Sequence, residues 1–122
     1  MKSILAVLLF VSTPCFADDW TKADTKREAA YLVLHIIDWA QSRYISRNPD
    51  NYCEQNFVLG CHPHQDKVDA YFLTAGVAHA WIASSVLSDE WKEWRAPFQH
   101  VTIGFEVGYV GHNLSIGVEI KF

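Results

Sequence analysis

His35, Asp38 and either Gln41 or Ser42 recur at steps of three and four through an otherwise apolar run, so a helix would carry them on one face. His79 shares the apolar stretch from Val68 to Leu87 with only one other ionisable group, Asp69, and Glu106 lies in a third apolar stretch. An imidazole titrates near neutral pH, and a carboxylate beside it can orient it for general acid or base work. His35, Asp38, His79 and Glu106 around one cavity would therefore form a catalytic constellation. The same groups could instead fix helix register, because polar side chains inside an apolar bundle must find hydrogen-bond partners. The network is the preferred reading and the working site the alternative. The chain has no nucleophile elbow, no phosphate-binding glycine loop and no His-Glu-x-x-His zinc helix.

The connection NYCEQNFVLGCHPHQD, residues 51 to 66, offers a second chemistry. Cys53, Cys61, His62 and His64 carry the atoms that zinc takes. Their spacing is not one of the usual zinc pairings, and the adjacent Cys61 and His62 would face one ion only with difficulty. A disulfide is the better expectation, because the first seventeen residues, MKSILAVLLFVSTPCFA, read as a secretory signal peptide: a lysine, an apolar run and small residues before Asp18. Cleavage after Ala17 leaves Cys53 and Cys61 as the only cysteines, in an oxidising compartment. Cys15 as a lipidated residue is an alternative that Pro14, directly before it, disfavours. No metal and no cofactor is expected. The formal net charge is −4, and no lysine or arginine cluster offsets it, which argues against nucleic acid as a partner.

Three elements must position these groups. The run after Trp20, TKADTKREAAYLVLHIIDWAQSRYI, reads as one helix; Thr25 and Glu28 have capping-box spacing, and Pro49 stops it. Val68 to Leu87 reads as a second helix with Asp66 as its N-cap, long enough to match a bilayer and apolar on all sides, as in a bundle centre or a membrane segment. Residues 98 to 122 satisfy two periods. Alternation from Val101 to Tyr109 and from Leu114 to Phe122 suits a β-hairpin. A helix instead places Gln99, Ile103, Glu106, Val110, Asn113 and Gly117 on one face, with Gly104, Gly108 and Gly111 open to close approach by another helix. Trp39 and Trp81 are expected in the core, and Trp91 and Trp94 suit a membrane interface.

Ile37 to Gln41, then Glu54, Asn56, Leu59, Gly60 and Pro63, then Val68 to Phe72, His79, and the pattern from Phe98 to Asn113 together resemble a group of uncharacterised small exported proteins of Gram-negative bacteria and their tailed phages. The resemblance covers nearly all of the chain after the leader. It adds Glu54 and Asn56 to the candidate polar residues, and it favours the helix for the third stretch. The cysteine pair and the His62-Pro63-His64 triplet lie outside the shared pattern, which disfavours a metal function. The expected organisation is a leader over residues 1–17 and one helical domain over 18–122. The fold is mainly α, a bundle of three to four helices with an extended C-terminal tail, with α+β and a hairpin at 101–122 as the alternative. The expected role is a non-catalytic cell-envelope protein that meets the membrane or an envelope partner through its apolar helices. The alternative is a small periplasmic enzyme or ligand-binding protein that uses the His/Asp/Glu cluster.

Overall fold

A computed structural model describes residues 18–122. The leader, its cleavage point and Cys15 lie outside the described residues. Three helices form a small bundle: α1 over Lys22–Arg47, α2 over Gln65–Trp81 and α3 over Arg95–Ser115. There is no strand among the described residues. Helix α1 is the spine. Both α2 and α3 pack along it and scarcely touch each other, so a cleft remains between them with α1 as its floor.

The capping box of α1 is Thr21 and Asp24, four residues before the expected pair. Asp24 N–H donates to Thr21 Oγ1 at 3.1 Å and Thr21 N–H to Asp24 Oδ2 at 2.9 Å. The same spacing recurs at Thr25 and Glu28, but Glu28 faces inward and is needed there. Helix α2 begins at His64 rather than Asp66, since the His64 ring accepts the Asp66 N–H. It also ends sooner than its apolar composition suggests. At Ile82–Val86 the chain widens into a π-helical turn, closed by Leu87 N–H on Ile82 O at 2.8 Å. There the Ala83 carbonyl accepts Arg95 Nε–H at 2.7 Å. No described helix is long and apolar enough to cross a membrane. A 3₁₀ segment at Asp89–Trp94 leads into α3.

Helix α3 runs without a break through Gly104, Gly108 and Gly111, so the hairpin does not form. The helix places Gln99, Glu106, Val110 and Asn113 together against α1, where a hairpin would scatter them. The expected close packing at its glycines is absent: a Cβ at any of the three would meet nothing within 4 Å. Close approach occurs instead at Gly76 on α2, where a Cβ would lie 3.5 Å from the His35 ring. The chain turns at Gly117, φ +88°, and its tail lies back on α1, with Val118 buried and Phe122 edge-on to Trp39.

The apolar core is small. Trp39, Leu59, Val68 and Phe72 form one cluster and Tyr31 with Leu32 another. Trp81, expected inside, is 57% exposed. Buried polar side chains outnumber buried apolar ones among the described residues, while many large apolar side chains face outward. Cys53 and Cys61 form a disulfide, with Cα atoms 4.5 Å apart. It closes the loop that crosses the mouth of the cleft.

Candidate functional site

All nine polar residues singled out from the sequence are buried: His35, Asp38, Gln41, Glu54, Asn56, His79, Gln99, Glu106 and Asn113. They do not converge on one point. They divide into two histidine-carboxylate centres along α1 and a group of amides at its far end.

The first centre is closed. His79 Nδ1 lies 2.8 Å from Glu28 Oε1, and its Nε2 lies 2.7 Å from Thr102 Oγ1. Thr102 Oγ1 also lies within hydrogen-bond distance of the Phe98 and Gln99 carbonyls, which fixes the hydroxyl beside the ring. Glu28 Oε2 accepts Gln99 Nε2–H at 3.0 Å, and Gln99 Oε1 accepts Arg27 Nε–H at 2.8 Å. The ring is sandwiched between Tyr31, with centroids 3.5 Å apart, and Phe98. Every polar atom here has a partner. Beyond it, Arg95 ties the ends together: Nη1 donates to Asp24 Oδ2 at 3.1 Å, Nη2 to Asp19 Oδ1 at 2.9 Å, and the guanidinium lies over Trp20. Burial acts to raise the Asp24 carboxyl, but hydrogen bonds from Thr21 and Arg95 outweigh it and hold the group low.

The second centre is open. His35 Nε2–H donates to the Phe72 carbonyl at 2.9 Å, and Nδ1 lies 2.9 Å from Glu106 Oε1 and 3.3 Å from the Tyr31 hydroxyl. A carbonyl only accepts, so Nε2 carries a hydrogen and the ring presents Nδ1 to the carboxyl group. No N–H or hydroxyl reaches Glu106 Oε2. The group beside it is Asp38, whose own carboxyl is pushed up to about 9 by burial and by the charges of Glu106 and Glu54. Asp38 therefore stays protonated at neutral pH and hydrogen-bonds Glu106 as the acid. Asn113 Nδ2 reaches Gln41 Oε1 at 3.2 Å and Asp38 Oδ1 at 3.4 Å, and Gln41 Nε2 donates to Val110 O at 3.4 Å.

The disulfide loop bears on this second centre. Asn56 N–H donates to Glu54 Oε1, and Val58 N–H to Asn56 Oδ1, both at 3.0 Å, while Lys67 Nζ holds the Leu59 carbonyl. These bonds and the bridge fix the loop so that Phe57, 88% exposed, stands on the rim of the cleft. The cleft encloses about 240 Å³; Glu106 is at its base, with Tyr31, Tyr71, Tyr109, Phe105 and Phe57 around it. Burial raises the Tyr71 hydroxyl, and the Asn56 side chain bonded to it acts in the opposite sense.

Sequence reasoning missed Glu28, Thr102 and Arg95 as members of the network. Glu28 lies one heptad before His35, and Arg95, Gln99, Thr102 and Glu106 step by four, three and four, so helical spacing contained the signal. Among the described residues no group of three or more His, Cys, Asp or Glu side chains could hold a metal ion. Comparison with known proteins finds no matching family model, no similar curated protein and no similar solved structure.

Proposed function

We propose that this chain is a non-catalytic protein of the cell envelope that docks on the membrane surface through the end of the bundle where α2 meets α3. The observation that carries this reading is the exposure of three tryptophans within fourteen residues of chain: Trp81 at 57%, Trp91 at 60% and Trp94 at 54%. An indole in water forgoes a large burial, whereas at the level of lipid head groups its apolar ring and its N–H are both satisfied. Apolar grooves flank the group, one along Leu73, Val77 and Trp81, the other along Ile82, Trp94 and Val101. Apolar surface of this extent supports a docking role. The connector carries Asp89, Glu90 and Glu93 against Lys92, so aromatic insertion rather than attraction to anionic lipid is expected to hold the contact.

The test is flotation of the purified protein with vesicles of phosphatidylethanolamine and phosphatidylglycerol. Protein is expected to float with the vesicles, and the double variant Trp91→Ser, Trp94→Ser to remain below. If the parent protein stays in the aqueous fraction, docking on lipid is wrong and an envelope protein becomes the partner to seek by cross-linking in whole envelopes.

A further inference from the structure

We propose that the cleft over Glu106 is a binding site for a small organic cation with an ammonium head. Three independent features of the cleft carry this. Its lining has no lysine, arginine or histidine side chain: five aromatic rings surround one carboxyl group and the Thr102 hydroxyl. Aromatic rings are electron-rich, and several of them beside one carboxyl group make a lining that attracts an alkylated or quaternary ammonium and repels anions. The second feature is the exposure of Phe57 and Phe105, 88% and 64%, on two different elements at the mouth. Neither ring contributes to the core, yet the disulfide, the Asn56 turn and the Glu54 contact hold Phe57 at the rim. The third is the contrast between the two histidine-carboxylate centres. The Glu28 oxygens are both consumed by His79 and Gln99 in a sealed site, whereas Glu106 lines open space. At about 240 Å³ the cleft suits a head group rather than a drug-sized molecule.

Choline is the ligand to test, beside 3,3-dimethylbutanol, which has the same shape without the charge. Titration of the full protein, followed by chemical shifts of the cleft tyrosines, is expected to show saturable choline binding in the millimolar range and at least about tenfold weaker binding of the neutral alcohol. Phe57→Ala and Phe105→Ala, both on exposed side chains and so without effect on folding, are each expected to weaken choline several-fold. Glu106→Gln is expected to weaken it by about tenfold or more. A competition arm separates the two sources of such a head group. Displacement of choline by phosphatidylcholine vesicles assigns the site to a lipid, and failure to displace assigns it to a free amine; either supports an ammonium site. Absence of saturable binding, equal binding of the neutral alcohol, or unchanged affinity in both phenylalanine variants overturns the proposal.

Discussion

Glu28 and Glu106 do the same chemistry to opposite ends. Each holds a buried histidine whose other nitrogen meets a fixed oxygen, but Glu28 is sealed among Gln99, Tyr31 and Phe98 while Glu106 borders a cleft. Glu28→Ala would leave the His79 ring buried without its counter-charge, and truncation of one partner in such a pair costs about 3 to 5 kcal/mol. A denaturation series on Glu28→Ala should show a loss of that order, with part of it recovered when His79 is also replaced by an apolar residue. Asp38 sets the behaviour with pH. Its folded carboxyl titrates at about 9 against 3.8 for the unconstrained group, because of burial and the nearby carboxylates. The folded state therefore keeps a proton that the unfolded chain has released, so its contribution is complete below about pH 4 and is lost as pH rises toward 9. Asp24 has the opposite sign: held low, it stabilises above the ordinary carboxylate range and ceases to do so on acidification. Melting temperatures should thus decline from the mildly acidic range toward alkaline pH. Asp38→Asn should flatten that decline and leave the acid limb in place; an unchanged alkaline slope would remove Asp38 from this role.

At the scale of elements, the segment between α1 and α2 is a built part of the cleft rather than a bare hinge. Opening its disulfide should cost roughly 2 to 3 kcal/mol from loop entropy alone. Replacing Cys53 and Cys61 with alanine should also release Phe57 from the rim, seen as faster amide exchange from Gln55 to Gly60 with α1 unaffected. Equal protection with and without the bridge would mean that the Asn56 turn suffices. The polar faces of α1 and α3 were legible because helical spacing survives any composition: His35, Asp38 and Gln41 step by three, and Gln99, Glu106 and Asn113 by seven. The period-two alternation from Val101 to Tyr109 was equally visible, and burial of Gln99, Glu106 and Asn113 against α1 decides for the helix. Glu28 was hidden by local chemistry, since a carboxylate three residues after a threonine reads as a cap. Apolar composition also could not reveal where α2 stops, because the π turn answers to Arg95, thirteen residues beyond its first residue, and to the Ala83 carbonyl it exposes.

Taken whole, the molecule reverses the usual arrangement of an isolated bundle. Ion pairs and amides fill much of the space between the helices, while Val77, Trp81, Trp91, Trp94, Val101 and Phe105 face outward. A hydrogen-bonded interior gives the helices a register that a short apolar core would leave loosely defined. An apolar exterior gains from a non-aqueous neighbour. Neither half is apparent from mean hydropathy, which balances near zero; the distribution appears only once the faces of the helices are assigned. The most direct measurement of the proposed docking is quenching of tryptophan emission by lipids brominated along the acyl chain, with the triple variant Trp81→Phe, Trp91→Phe, Trp94→Phe as the comparison. Strong quenching in the parent protein, largely lost in the triple variant, is the result this account predicts. Emission unaffected by brominated lipid would contradict it.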